Sequence, residues 1–382
     1  MYLYEFQSKK IFSEMGISVP RGRCVRIAQE AMKVAREIGG PVVVKAQVLV
    51  GGRGLAGGIK FADSPEEAQE VASEVLNGFV RGEKTYAVLV EERLEPSCQF
   101  YAGVTYDYGK KCPVIVASSH GGVDIETTAK EHPQEISRKM VDPFKRFEPY
   151  MGRELAAEIG LRGNDSIQFA NIVGALWRIF EQYGAELVEA NPLAVVSNRL
   201  VSLDAKLILD DKSLFKQRDF AGKIEQASIG PLEGFEFRRY QAKQMGIPTY
   251  IEMEGNLGVI ADGAGTGMLT LDLIADSGGK TAVYCEMGGE TTAELMENTM
   301  KAVLSVDRTC VVLVNLIGGL NRMDEMAKGI TNYLQKNPTK IPVVVRMSGT
   351  MEGEGRRILS TIGIDGYDDL YEAIEKAVQL TR

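Results

Sequence analysis

The sequence predicts an α/β protein built in two parts: a mixed α+β part, then a parallel sheet covered on both faces. Three observations carry this. The 382 residues are too many for one ordinary core. Up to about Gln241, strands and helices of uneven length are intermixed. From about Asn256, strand and helix alternate regularly, the pattern of parallel strands joined by crossover helices. The boundary is expected near Gly246, giving parts 1–245 and 246–382.

The first part opens its strands with "VVVKAQVLVGGRGLAGGIKF", Val42 to Phe61. Strand alternation puts Val43, Lys45 and Gln47 on one face. A lysine on a half-buried strand needs an anion or a carboxylate. Read alone, Lys45 is a structural ion pair. The loop after it holds five glycines in the thirteen residues Val48 to Lys60, and glycine backbone can approach phosphate closely. The loop runs into another strand, "GIKF", and so reads as a flap over a nucleotide, unlike the helix-opening phosphate loops. "SPEEAQEVASEVL" starts a helix, with Ser64 as N-cap, Pro65 in the first turn and Glu67 at the third position. "YAVLVE", "FYAGVTYD" and "PVIVAS" read as strands. "DSIQFANIVGALWRIFEQYG" reads as an amphipathic helix ending at Gly184.

"AELVEANPL" and "RLVSLDAKL" read as neighbouring strands joined by "VVSN". Pairing them can set Asn191 beside Asp204. An amide oxygen and a carboxylate suit magnesium, which takes few protein ligands and fills its shell with water and phosphate oxygens. A plain hairpin with polar outward residues remains the alternative. The charged, aromatic segment from about Phe215 to Tyr250 is expected to link the two parts. The second part runs strand "NLGVIAD", a glycine turn and a helix, strand "TAVYC", helix "TAELMENTMKAVLS", strand "CVVLVNLI", helix "NRMDEMAKGITNYL", strand "IPVVVRM", helix "GEGRRILSTIG" and helix "YDDLYEAIEKAVQL". The helix after Asp262 presents N–H groups and a positive dipole end that suit an anion.

Composition narrows the function. The net charge of −8 argues against nucleic acid as a partner, since phosphate backbones need a basic face. No apolar run is long enough to span a bilayer, and "MYLYEFQSKKIF" lacks the regions of a secretory signal. The five cysteines form no metal-spaced pair and fit reduced thiols in a cytoplasmic protein.

Taken together, "LYEFQSKKIFSEMGISVP", "VVKAQVLVGGRGLAGGIK", "GGVDIE", "VEANPL", "LDAKL", "DGAGTGM", "NLIGGLNRMDEMAKGI" and "IPVVVRM" resemble the succinyl-CoA synthetase beta-subunit family over nearly the whole chain. The resemblance implies an ATP-grasp domain followed by a flavodoxin-like CoA-ligase domain. It implies Mg2+, with ATP and CoA as co-substrates, and an alpha subunit carrying the CoA site and a phosphorylated histidine, in an αβ or α2β2 heteromer. Residue by residue, Lys45 resembles the phosphate-binding lysine, and Gly52, Arg53 and Gly54 the nucleotide-covering loop. Glu91 resembles the adenine-side hinge residue, and Gln99 stands where many members place a glutamate near the nucleotide. Asn191 and Asp204 resemble the magnesium ligands, and Glu189 the acid that meets the incoming histidine. Asp262 and Gly319, Leu320 and Asn321 fall where the family contacts its acid substrate.

Four positions depart from the familiar bacterial pattern: Gln99, His120 for glutamate, Asp262 for asparagine and Met323 for cysteine. An ionised aspartate can only accept hydrogen bonds and repels a substrate carboxylate, so Asp262 points to an acid other than plain succinate, such as malate, citrate or a sulfonated acid. Alternatively Asp262 caps the helix beginning near Gly265, leaving succinate. Asn321 is also a natural N-cap. The chain has only His120 and His132, neither in a setting suited to carrying phosphate, so a phosphohistidine is expected on a second chain. A self-sufficient ATP-grasp ligase, or a nucleotide-binding scaffold without catalysis, are the competing readings.

Overall fold

The computed structural model describes residues 1–50, 52–54, 56–123, 125–145, 147–213, 234–289 and 291–381. The chain divides into two compact units, Met1–Gly230 and Pro231–Arg382.

The first unit contains, in order, α1 (Glu5–Glu14), β1 (Gly22–Val25), α2 (Ala28–Ile38), β2 (Val42–Ala46), β3 (Ile59–Ala62), α3 (Pro65–Asn77), β4 (Phe79–Val80), β5 (Glu83–Lys84), β6 (Val88–Glu92), β7 (Cys98–Asp107), β8 (Cys112–Ser118), α4 (Ile125–Glu131), β9 (Ile136–Met140), α5 (Pro149–Glu158), α6 (Gly163–Tyr183), β10 (Ala185–Val196), β11 (Arg199–Ser202) and β12 (Lys206–Leu209). One sheet has the order β1-β6-β2-β3 and packs on α2 and α3 through Val34, Val44, Ala68, Ala72 and Val90. A second has the order β11-β10-β7-β8-β9, with β12 also on β10. Its core joins α1, α5 and α6 through Phe12, Leu155, Phe169, Leu176, Leu193 and Leu207. Each such fully buried side chain contributes about 1.5–3 kcal/mol relative to exposure.

The helix signals act as expected. The Ser64 hydroxyl accepts from the Glu67 N–H, and α6 stops at Gly184, whose φ of +57° is the left-handed end that glycine tolerates. The expected strand "RLVSLDAKL" is corrected: it breaks after Ser202 and resumes at Lys206. Both pieces pair with β10, and the break carries Leu203, Asp204 and Ala205.

The second unit contains α7 (Gly234–Gln244), β13 (Thr249–Glu252), β14 (Leu257–Ala261), α8 (Ala264–Asp276), β15 (Thr281–Glu286), α9 (Ala293–Leu304), β16 (Val311–Gly318), α10 (Met323–Lys336), β17 (Val343–Gly349), α11 (Glu352–Ser360), β18 (Gly366–Tyr367) and α12 (Leu370–Gln379). Its sheet has the order β13-β15-β14-β16-β17-β18 and is parallel except for β13 at the edge, antiparallel to β15. The segment from about Phe215 to Tyr250 was expected to link the two parts. Its described end forms α7 and β13, which belong to this sheet and its cover. The rest of that segment lies outside the described residues. Along β16, Val312, Val314 and Leu316 enter one core while Val311 and Leu313 enter the other. Both faces are covered, which is why the strand reads as an unbroken apolar run.

Candidate functional site

In the first unit, β2 carries Lys45 into a buried cluster of charges. The Lys45 ammonium lies 3.0 Å from Glu5 and 3.0 Å from Glu91, and donates to the Leu203 carbonyl at 2.6 Å. Burial disfavours this charge, but Glu5, Glu91 and Asp204 together hold the lysine above its ordinary value. Arg53 reaches back from the glycine-rich loop to the same cluster. It pairs with Glu5 at 2.8 Å and lies on both oxygens of Asp204 at 3.0 and 2.9 Å. It also donates to the Ala46 carbonyl, while the Gly58 N–H donates to the Arg53 carbonyl. The loop is thus pinned over β2 by its one arginine, with Gly52 in the left-handed region (φ +71°) and Gly54 beside it. Glycine supplies the shape and arginine the anchor.

Asn191 and Asp204 both fall in the interval between two ladder pairs. Glu189 faces Lys206 and Leu193 faces Ser202, and the Leu203 N–H donates to the Pro192 carbonyl in the irregular stretch between these pairs, which carries Asn191 on one strand and Asp204 on the other. The Asn191 oxygen accepts from the Gly122 N–H at 2.7 Å and its amide donates to the Val123 carbonyl. Gln99 approaches the same turn: a methyl on Gly122 would meet its Oε1 at 2.6 Å. Glu189, two residues before Asn191, accepts from the Tyr101 hydroxyl at 3.1 Å. Gly103, opposite Glu189, leaves room for the Tyr101 ring. Among the described residues no three His, Cys, Asp or Glu side chains cluster as a metal cage. An amide oxygen and a carboxylate are of the chemical type that magnesium takes alongside phosphate oxygens; here the Asn191 oxygen accepts from Gly122, and the Asp204 carboxylate holds Arg53 and accepts from the Ala205 N–H.

Glu91 lies in the same cluster. Both of its oxygens take the Lys9 ammonium, at 2.7 and 2.6 Å, and Lys45 adds a third contact. Its side chain is a counter-ion to both lysines. Sequence reasoning also missed Glu5 and Lys9. Their i,i+4 spacing with Phe12 on one face of α1 was the available signal: charges stand where a buried helix face should be apolar. His120 pairs with Glu135 and Ser119 at an exposed position.

The second unit gathers the other candidates. In its sheet β15 and β16 lie on opposite sides of β14, which makes the gap between β14 and β16 the switch point where ligands bind in such sheets. Asp262 follows β14 and is 6% exposed; it accepts from the Ile317 N–H at 3.0 Å. Burial pushes its carboxyl up, against hydrogen bonds from Ile317 and Asn321. Asn321 accepts from the Thr291 N–H and donates to the Gly288 carbonyl. Both capping alternatives are corrected. The N-cap of α8 is Gly263 with no side-chain cap, and that of α10 is Arg322. Asp262 is drawn away from α8 by the free N–H of β16, and Asn321 by two backbone groups of the loop after β15. Leu320 is 84% exposed beside the open Gly319. Arg346 on β17, not expected from the sequence, adds its positive charge near Asp262.

Comparisons with known proteins agree along the chain. Residues 2–195 match the ATP-grasp domain family and residues 260–380 the CoA-ligase family. The chain is 42% identical to the beta subunit of an ADP-forming succinate–CoA ligase from Desulfurococcus amylolyticus, covering 100% of this chain and 99% of that protein. It is 39% identical to the beta subunit of a GDP-forming succinate–CoA ligase from Thermus thermophilus, again over 100% and 99%. In fold it is similar to ATP citrate lyase from Methanothrix soehngenii, solved with citrate and coenzyme A, at a TM-score of 0.73 and 19% identity over 99% of both chains.

Proposed function

The chain belongs to the succinate–CoA ligase beta-subunit family, an ATP-grasp domain followed by a CoA-ligase domain, and on that premise we propose that it is the nucleotide-binding beta subunit of a heteromeric ADP-forming acid–CoA ligase. The enzyme joins a carboxylic acid to CoA with ATP, through a phosphohistidine on a partner alpha subunit. The observation that carries this reading is the convergence of Lys45, Arg53 and Asp204 in one buried cluster of charges, on the strand, loop and turn whose motifs match that family.

A carboxylate is a poor electrophile and must become an acyl phosphate before a thiol attacks it. Lys45 and Arg53 offer positive charge to the nucleotide phosphates, and the glycine loop lets its backbone approach them. Asn191 and Asp204 would hold magnesium, which neutralises charge developing on the transferred phosphoryl group. Glu189, steadied by Tyr101, presents a carboxylate on the strand face that carries Asn191 and receives the partner's histidine. The family resemblance and the unsuited setting of His120 and His132 support a phosphohistidine on the partner.

The acid is held at the switch point of the second unit by Gly319, Leu320 and Asn321, with Asp262 beneath them. A buried aspartate at this point favours an acid with a hydroxyl donor, such as malate or citrate, over plain succinate. The test is purification with the partner, then a panel of acids assayed for CoA-dependent ADP release, with ATP and GTP compared. Labelled γ-phosphate is expected on a histidine of the partner, and no acyl-CoA from this chain alone. Acyl-CoA synthesis by the single chain would remove the partner from the scheme.

A further inference from the structure

The two terminal nitrogens of Arg53 have separate partners. Nη1 lies 2.8 Å from Glu5 and donates to the Ala46 carbonyl at 3.2 Å. Nη2 lies on both oxygens of Asp204, at 3.0 and 2.9 Å. One nitrogen thus anchors the loop to α1 and β2, and the other covers a carboxylate. The covered oxygens are the ones a magnesium ion at Asp204 would use. The Ala205 N–H takes one of them as well, at 2.7 Å. The other candidate ligand is also engaged, since the Asn191 oxygen accepts from the Gly122 N–H at 2.7 Å. By type the donors suit magnesium, but the carboxylate is spent on a cation of the protein.

The charges of the cluster are already balanced: Glu5, Glu91 and Asp204 face Lys9, Lys45 and Arg53. A bare divalent cation would add its charge to a neutral cluster and would have to displace an ion pair that spans both oxygens of Asp204. A nucleotide changes both conditions. Its phosphates compensate the metal, and they offer a guanidinium other oxygens. We propose that the Arg53–Asp204 pair is a latch on the metal site, which keeps bare magnesium off Asp204 and is released when a nucleotide comes in with the ion. Release leaves the anchor in place: turning about Nη1 takes Nη2 off Asp204 while Glu5 and the Ala46 carbonyl keep the arginine. The loop can follow that turn at Gly57, which has a φ of +74° and open space around it. The proposal rests on the nucleotide-site reading above and adds an order to it, in which the metal does not precede the nucleotide.

Manganese serves as the probe, titrated into the full chain without nucleotide and followed by electron paramagnetic resonance. Arg53→Lys keeps a positive charge for Glu5 and the Ala46 carbonyl but lacks the second nitrogen. It should bind bare manganese about tenfold more tightly than the parent, a change of about 1.4 kcal/mol. Adding Asp204→Asn to that variant should abolish the gain. A merely structural arginine would lower the melting temperature without tightening the metal. A gain of about threefold or more supports the latch, and a smaller one overturns it. A gain that survives Asp204→Asn also overturns it, because the ion then binds elsewhere. If Arg53→Lys does not fold, Arg53→Gln, neutral and likewise with a single terminal nitrogen, decides by the same comparison. Calorimetry of the parent with Mg-ATP separates the two readings. If the parent takes Mg-ATP while the variant shows no gain, the latch alone falls. A parent that binds no Mg-ATP overturns the nucleotide-site reading and the latch together.

Discussion

Asp204 and Asp262 are both aspartates beside a candidate ligand, and their surroundings give them opposite chemistry. Asp204 is partly exposed and faces a guanidinium; its charge is the useful property. Asp204→Asn keeps the shape and removes that charge. Phosphorylation of the partner should fall by about a hundredfold or more, the scale of losing one preorganised charge at a transferring phosphoryl group. Transfer of labelled γ-phosphate measures it, and a rate within about twofold of the parent would move the metal elsewhere. Asp262 is buried and its carboxyl is pushed up. The folded state therefore keeps the proton to higher pH than the unfolded chain. Its contribution to stability is most favourable below the ordinary aspartate value, near 4, and falls as pH rises from there through the raised folded value. Asp262→Asn removes this dependence while its oxygen can still accept from Ile317. Melting temperatures across pH 4 to 8 should decline less in the variant, and parallel curves would mean the carboxyl is not strained by burial. The same variant should move kcat/KM toward succinate in the acid panel.

At the scale of elements, two helix ends fix the geometry around the site. Ser64 accepts from the Glu67 N–H at 3.1 Å, and Glu67 in turn accepts from the Asp63 N–H. Ser64→Ala leaves an unsatisfied N–H at the start of α3 and should cost about 1 kcal/mol in urea unfolding. Gly184 ends α6 and leads directly into β10, the strand of Glu189 and Asn191. A methyl there would overlap the Ser213 side chain and force an L-residue to φ +57°. Gly184→Ala should cost more than about 1 kcal/mol. A loss near zero would show that the turn relaxes without disturbing β10.

For the whole molecule, acid is the informative perturbation. The Glu5 carboxyl is held well below its ordinary value: burial alone would raise it, but Lys45, Lys9 and Arg53 outweigh that effect. A depressed carboxyl adds stability that is present above its unfolded value, near 4.3, and lost as pH falls through the folded value. The first unit should therefore lose stability steeply below about pH 4, and Glu5→Gln should flatten that limb. Urea midpoints from pH 7 to pH 3 decide this; equal slopes in parent and variant would place the acid sensitivity on other groups.

Much of this was legible along the chain. Alternation of β14 to β17 with helices follows from apolar runs punctuated by glycine, and local capping chemistry set α3 and the end of α6. The lysine in a buried strand and the glycine loop marked Lys45 and Arg53 as unusual, because burial makes a charge conspicuous. The family resemblance was equally open to reading, since ordered motifs survive in sequence. What sequence alone could not give was partnership at long range. Nothing local says that Lys45 rests on Glu5, forty positions earlier, or that Arg53 reaches Asp204 across 151 positions. The break in "RLVSLDAKL" was hidden for the same reason, because Lys9 and Lys45 claim the Leu203 carbonyl there. Helix capping, the alternative that local spacing offered for Asp262 and Asn321, is not what they do: N–H groups on other segments take them. Periodicity and capping are interactions of near neighbours and are written in order along the chain. Buried charges are satisfied by whatever the folded sheets bring beside them, so only the tertiary structure decided which carboxylates bind which cations of the protein.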